Sequence, residues 1–130
     1  MMTGKWKTWA ALILLPVIVA LVWAAAFVLS PGKGSVSHPA LDAAVRQIVG
    51  KYYGELSPEE LAQVTELTVR DAGIVSIEGI EKLTNLRKLD LRGNRISDIR
   101  PLAALTRLEV LNLRDNQISD ISPLSGLKLL

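Results

Sequence analysis

Nine positions of the chain recur, with identical residues, twenty-two residues further on. The first set is Leu86, Leu89, Leu91, Asn94, Ile96, Ile99, Pro101, Leu102 and Leu105, and the second set is Leu108, Leu111, Leu113, Asn116, Ile118, Ile121, Pro123, Leu124 and Leu127. A looser copy lies twenty-two residues earlier, at Val64, Leu67, Val69, Ile74, Ile77, Ile80 and Leu83. A fixed period of this kind predicts a solenoid, in which each unit buries its apolar face only against its neighbours. Because a short stack offers a surface rather than a catalytic pocket, the repeat favours a binding module over an enzyme.

Each repeat combines a strand pattern with a turn. Leu89 and Leu91 alternate with polar residues, which is the period of two expected of a strand. Asn94 follows where the chain must turn, and Pro101 breaks any long helix on the returning side. We therefore expect about three repeats over residues 64–130, with short strands on one side and turns or 3-10 segments on the other.

Residues 39–63 predict a helical cap ahead of the repeats. An apolar stripe at helical spacing begins after Pro39 and ends before Gly50. Its members are Leu41, Ala44, Val45, Ile48 and Val49. A second, short helix is expected after Ser57, because Glu60 completes a capping box with this residue.

The chain resembles the 22-residue class of leucine-rich repeats found in bacterial internalins, through the pattern Leu-x-x-Leu-x-Leu-x-x-Asn-x-Ile-x-x-Ile-x-Pro-Leu-x-x-Leu. The resemblance covers roughly residues 39–130 and includes the helical cap. It implies an α/β fold, a short right-handed solenoid with parallel strands on its concave face and turns or 3-10 segments on its convex side. In that family the concave face commonly binds proteins, so the resemblance implies a protein ligand. Separately, the sequence leads us to expect no cofactor.

The first 38 residues predict a membrane anchor and a tether. Trp9 to Leu29 carries no charge, and as a helix of about 31 Å it is long enough to cross a hydrocarbon core of about 30 Å. Lys5 and Lys7 precede this transmembrane helix, so residues 1–8 are expected in the cytoplasm and the repeats outside it. Residues 30–38 are rich in small and helix-breaking residues and predict a flexible linker.

Two interpretations of the apolar run stay open. An uncleaved signal anchor would hold the protein in the membrane as a single-pass chain. A signal peptide cleaved near Ala24–Ala26 would instead release a secreted protein. We favour the anchor, because the run is longer than the usual apolar core of a signal peptide, about 7–15 residues.

Charge and cysteine content exclude several classes of partner and site. The formal net charge of +2 comes entirely from Lys5 and Lys7, because the other thirteen basic side chains match the thirteen acidic ones. The basic character is therefore the flank of the membrane segment, and no nucleic-acid partner is indicated. The chain has no cysteine, which excludes disulfides and thiolate metal sites. The sequence contains neither a metal-ligand spacing nor a phosphate-binding glycine loop.

The candidate binding site is the exposed, concave side of the predicted sheet, which we call the strand face. It comprises Glu66, Thr68, Arg70, Lys88, Asp90, Arg92, Val110, Asn112 and Arg114. Arg70, Arg92 and Arg114 fall in one column, with neighbouring strands about 4.8 Å apart. Two interpretations stay open. The column is a basic stripe that binds an acidic partner, or its arginines pair with Asp90, Asp71 and Asp115.

Other polar residues of the described patterns have structural explanations. Asn94 and Asn116 are expected to satisfy backbone groups in the turn rather than to bind a ligand. Asp98 and Asp120 are too few for a calcium site, which needs about six to eight oxygens, and we expect them to stabilise turns. His38 has no catalytic partner near it in sequence, so the chain is expected not to be an enzyme.

The open side of the last repeat leaves three functional hypotheses. A further repeat begins at Leu130 without a polar cap. The chain is interpreted either as the truncated product of a longer gene, or as one whose edge strand, near residues 110–114, pairs with another copy or with a partner strand. The first hypothesis is a membrane-anchored extracytoplasmic module that binds a protein or an anionic envelope polymer. The alternatives are a targeting remnant of a longer surface protein with a catalytic region, and a self-associating scaffold.

Overall fold

The computed structural model describes residues 35–130. The predicted cytoplasmic segment, the predicted membrane anchor and the first part of the predicted linker lie outside the described residues. Within the part that is described, no helix is both long and apolar enough to cross a membrane.

Two helices form the cap ahead of the repeats. Helix α1 spans Pro39–Val49 and ends at Gly50, as the positions of proline and glycine predict. Its buried side chains are Leu41 and Val45. Helix α2 spans only Pro58–Leu61 and starts in a capping box. Glu60 N donates to Ser57 Oγ at 3.2 Å, and Ser57 N donates to Glu60 Oε2 at 2.7 Å.

Three short parallel strands, one in each repeat of the described chain, form one sheet. They are β1 (Glu66–Thr68), β2 (Lys88–Asp90) and β3 (Val110–Asn112). The register aligns residues twenty-two apart, so that Leu67 pairs with Leu89 and Leu89 with Leu111. On the returning side of the repeats, 3-10 segments stack in the same order: Ile80–Lys82, Arg100–Ala104 and Ser122–Leu124. The prediction of a parallel-strand solenoid is therefore confirmed.

The apolar core is most complete in the middle repeat. Its apolar positions are all at most 1% exposed, namely Leu86, Leu89, Leu91, Ile96, Ile99, Leu102 and Leu105. In the last repeat the corresponding Leu111, Leu113 and Ile118 are only partly buried, and Ile121 is 70% exposed. A repeat thus seals its core only where a neighbour packs on each of its two sides.

Residues Ser35–His38, which we call the leading segment, pack against the first repeat. Val36 is 3% exposed, and Ser37 N donates to Glu78 O at 2.8 Å. His38 forms the N-cap of α1, where its Nδ1 accepts from the backbone N–H of Ala40 at 3.2 Å. These four residues therefore belong to the packed domain, whereas the sequence prediction placed them in a flexible linker. An apolar side chain and backbone hydrogen bonds hold them in place.

Gly79 gives the leading segment the space it occupies. Its φ is +93°, and a Cβ atom at this position would lie 2.8 Å from Ser35 O and 2.9 Å from Val36 Cα. Lys82 Nζ closes the contact by donating to Ser35 O at 3.0 Å. The next repeat has Pro101 at the equivalent position, so only the first repeat has the gap that receives this segment.

Candidate functional site

The structure places all nine predicted residues of the strand face on the exposed side of the sheet. Six are exposed, namely Glu66, Thr68, Arg70, Lys88, Val110 and Arg114, and three are partly buried, namely Asp90, Arg92 and Asn112. Leu67 and Leu89 alternate with them and are buried, because successive side chains of a strand point to opposite sides. The register sets Glu66, Lys88 and Val110 in one row and Thr68, Asp90 and Asn112 in the next.

The three arginines follow the strands in the same register. Asp71 N donates to Arg92 O at 3.0 Å, and Gly93 N donates to Arg114 O at 3.0 Å, so the ladder continues past the strand ends. The backbone therefore forms the predicted column, but the three side chains differ in their partners.

Arg70 is held by an acidic residue of the neighbouring strand. Its Nε and Nη2 lie 2.9 Å and 2.6 Å from Asp90 Oδ2. Hydrogen bonding by Arg70 is the main reason that the pKa of Asp90 lies below its ordinary value, and the pKa of Arg70 is raised in turn. Arg70 and Asp90 neutralise each other, so Arg70 does not contribute a free charge to the strand face.

A second ion pair joins the first strand to the second. Lys88 Nζ lies 2.8 Å from Glu66 Oε1, and this contact is the main cause of a raised pKa for Lys88. Both side chains are more than half exposed, so water screens their attraction. This pair also leaves little net charge on the surface of β1 and β2.

Arg92 and Arg114 are less strongly held than Arg70 and remain available for further contacts. Arg114 Nε lies 3.6 Å from Asp115 Oδ2, in a pair whose side chains are 76% and 65% exposed. Arg92 is partly buried and forms no ion pair with any residue in 35–130. Of the pairings considered from sequence, the one with Asp90 is close, the one with Asp115 is loose, and Arg92 does not pair with Asp71. The predicted stripe of three arginines is thus reduced to two.

Asp90 and Asn112 also hold the backbone that carries these arginines. Asp90 Oδ1 accepts from the backbone N–H of Arg92 at 3.1 Å, and Asn112 Oδ1 accepts from that of Arg114 at 3.1 Å. The same hydrogen bond recurs in both repeats and sets where each arginine leaves the strand.

Asn94 and Asn116 are committed to the backbone of the turn. Asn94 Oδ1 accepts from Ala72 N at 3.1 Å and from Ile74 N at 3.0 Å, while Nδ2 donates to Leu91 O at 2.7 Å. Asn94 is only 5% exposed. Asn116 repeats the pattern with Ile96 N, Leu91 O and Leu113 O, but it is less buried. Each asparagine therefore ties its own repeat to the preceding one.

A shallow groove borders the strand face on the side of helix α1. Its volume is about 420 Å³, and it is lined by Ala44, Gln47, Ile48, Glu66, Leu67 and Thr68. Ile48 is 48% exposed, although the sequence pattern placed it with Leu41 and Val45 on the buried side of the helix. Helical spacing shows which side chains share a face, but it does not show where the neighbouring repeat stops covering that face.

Residues 35–130 contain few clusters of side chains that could bind a metal ion or take part in catalysis. This part of the chain contains no group of three acidic or histidine side chains that could hold a metal ion. Asp98 Oδ1 accepts from Arg100 N at 3.0 Å, and Asp120 Oδ1 accepts from Ser122 N at 2.8 Å, so both carboxylates stabilise turns. The Arg100 side chain is the main reason that the pKa of Asp98 falls to about 2.

The family description "Leucine Rich repeats (2 copies)" matches residues 62–104 and, in an overlapping placement, residues 84–126. The two placements together span half of the chain and follow the stacked strands and turns described above. This chain belongs to the leucine-rich repeat family.

Solved structures resemble this leucine-rich repeat protein and identify its type. An internalin, inlF, from Listeria monocytogenes is 40% identical and superimposes with a TM-score of 0.68 over 71% of this chain. Internalin C2 from the same organism is 34% identical, with a TM-score of 0.68 over 71% of this chain. The functional domain of InlJ from Listeria monocytogenes is 29% identical, with a TM-score of 0.61 over 72%. The internalin-like character predicted from the repeat is therefore confirmed.

The leucine-rich repeat protein matches only part of each of these chains. It spans 28% of the inlF chain, 42% of the internalin C2 chain and 21% of the InlJ chain. The comparison with curated proteins gives no match.

Proposed function

We propose that this leucine-rich repeat protein is a non-catalytic module that binds a protein ligand through its strand face. The alignment of nine side chains, in register on the exposed side of the sheet, carries the proposal. A parallel sheet in fixed register presents these side chains at constant spacing, which suits recognition of a surface. Its repeats are of the internalin type, and the resemblance implies protein binding.

The size of the strand face sets an expectation for affinity. A stable interface buries about 800 Å² per partner. Three strands about 4.8 Å apart give a patch only about 10 Å across, before the side chains are counted. We therefore expect weak binding by a single chain, with help from surfaces that border the strand face.

We further propose that the module lies outside the cytoplasm and is held at the membrane by residues 9–29. The support is in the sequence, where a charge-free stretch long enough to span a bilayer follows Lys5 and Lys7. N-terminal sequencing of protein recovered from membranes tests this anchor. An intact first segment supports it, and a new N-terminus near Ala24–Ala26 would show a secreted protein instead.

Photo-crosslinking tests the binding proposal directly. A photoreactive amino acid replaces Thr68 on the strand face or, as the matched control, Ser97, which is exposed beyond the Asn94 turn. We expect protein adducts from position 68 and few from position 97. Arg92→Glu should lower the yield at position 68. Equal yields from both positions would refute the strand face as the binding surface, and adducts with polysaccharide alone would point to an anionic envelope polymer.

Self-association is a second candidate, favoured by the apolar residues exposed in the last repeat. Val110 is 53% exposed, Ile121 70% and Leu129 56%. Sedimentation at several concentrations tests this candidate, and a monomer at all of them would exclude it. The targeting-remnant hypothesis stays a prediction, and the coding sequence beyond Leu130 decides it.

A further inference from the structure

We infer that the ligand is a peptide segment with two recognition elements, an apolar side chain that enters the groove beside helix α1 and a carboxylate that binds Arg92 and Arg114. This inference rests on the proposed function, and it adds the chemistry of the ligand and its orientation on the strand face.

The charges on the strand face favour a negatively charged ligand group at one end of the face. Four of the nine residues are basic and two are acidic, so the net charge of the face is +2. Lys88 forms an ion pair with Glu66, and Arg70 forms one with Asp90. Arg92 is therefore left without an ion pair in residues 35–130, and Arg114 keeps only its loose, exposed contact with Asp115. The two arginines follow adjacent strands in register.

Arg92 and Arg114 are positioned to share one carboxylate. Their strands lie about 4.8 Å apart, so their charges repel each other until an anion lies between them. The hydrogen bonds from their backbone N–H groups to Asp90 and Asn112 hold the backbones of the two residues in equivalent conformations. Guanidinium groups donate in a planar fork that matches a carboxylate, and Arg92 is partly buried, which strengthens such a contact.

The groove beside α1 suits an apolar side chain. Ile48 and Ala44 supply the apolar side chains of its wall, and Ile48 is half exposed. Glu66 stands at its rim, but its charge is compensated by Lys88. A partner side chain placed here would remove Ile48 from water, and the gain grows with the apolar area covered.

The distance between these two elements fixes their spacing in the ligand. The groove lies level with residues 66–68 beside β1, whereas the arginines lie about three residues further along, just past the ends of β2 and β3. Strand spacing and rise give a diagonal of roughly 15 Å. An extended peptide covers this distance in about five residues.

A peptide selection tests the inference with a defined probe. A random twelve-residue library displayed on phage is panned against the full chain in mild detergent, after depletion on detergent alone. We expect enriched peptides to carry a large apolar residue and an Asp or Glu about five positions apart. Ile48→Ser and Arg92→Gln should each weaken the binding of the enriched peptides about tenfold.

Matched variants separate the possible failures. Arg95→Gln changes an exposed arginine beyond the Asn94 turn and should leave binding unchanged. Arg92→Lys keeps the charge without the fork and should recover part of the affinity, which excludes a folding defect as the cause. Peptides that depend on Arg92 but not on Ile48 would overturn the inference and leave the proposed function standing. A selection without enrichment, or with peptides indifferent to all variants, would also overturn it, and crosslinking at Thr68 then judges the proposed function separately.

Discussion

Gly93 and Asp71 occupy the same position in adjacent repeats, and the carboxylate of Asp71 fills the space in which a side chain on Gly93 would begin. Both residues have positive φ, +75° for Gly93 and +52° for Asp71, and Asp115 in the following repeat has +57°. The turn after each strand thus needs a left-handed residue, which aspartate tolerates better than most. In the middle repeat the overlap with Asp71 leaves glycine as the residue that fits.

Gly93→Ala should destabilise the domain more than Gly73→Ala. Gly73 also has positive φ, +66°, but open space surrounds the position of its Cβ atom, so its variant measures the backbone strain alone, about 1 kcal/mol. The free energy of unfolding, from chemical denaturation, gives the difference between the two variants. Adding Asp71→Gly to Gly93→Ala should bring the cost down to that of Gly73→Ala. If the added change brings no recovery, overlap with Asp71 is not the constraint.

Asn94→Ala should cost about 1–3 kcal/mol of stability, because it leaves buried backbone groups of two repeats without their partners. Asn116→Ala should cost less, because water reaches its partly exposed turn. Denaturation of both variants checks the order. The peptide affinities of the two variants should match that of the wild type at temperatures where both are folded, and a selective loss of affinity in Asn94→Ala would assign this residue to the ligand.

Gly79→Ala should release the leading segment. A Cβ atom there overlaps Ser35 O and Val36 Cα, and the positive φ adds strain, so we expect a cost of about 2 kcal/mol. Hydrogen exchange of the Ser37 amide, which donates to Glu78 O, reports the release directly. Gly126→Ala has open space and is the control. Unchanged protection of Ser37 in Gly79→Ala would mean that the segment does not depend on this glycine.

Arg70→Met should raise the pKa of Asp90 toward its ordinary value of 3.8, because the hydrogen bond from Arg70 is the main cause of its lowering. A lowered pKa in the folded state stabilises the fold above about pH 4, and this stabilisation is lost as the pH falls through the folded-state pKa. The variant should therefore lose less stability than the wild type across that acidic window. Titration of the Asp90 carboxyl carbon by NMR measures the pKa, with Arg95→Met as the control. An unshifted Asp90 would show that the pair seen here does not form in solution.

The repeating part of the fold was predictable because each position of a repeat has one environment. Leu89 is buried between two copies of itself, and Asn94 meets the same backbone groups that Asn116 meets one repeat later. Because the same environment recurs in every repeat, the same residue type recurs there. The period of twenty-two residues therefore predicts the strands, the turns and the 3-10 segments together. The capping box at Ser57 was equally predictable from the sequence, because its contacts are local.

The parts that escaped prediction depend on single, non-repeating contacts. Val36 is one apolar residue among serines and glycines, and its burial requires Gly79, far along the chain. The sequence predicts the column of arginines. It does not predict that Arg70, rather than another arginine, pairs with Asp90, because this pairing depends on side-chain geometry across two strands. The exposure of Ile48 likewise depends on how far the first repeat covers helix α1.

The shared register of the three strands has an evolutionary consequence. Equivalent atoms of successive repeats are joined by the same ladder, so a duplicated block of twenty-two codons would insert one more rung and leave the existing pairings intact. Each such duplication would widen the exposed side of the sheet in the encoded protein by about 4.8 Å. New specificities can then arise from changes at outward positions alone, while the leucines beneath them stay constant.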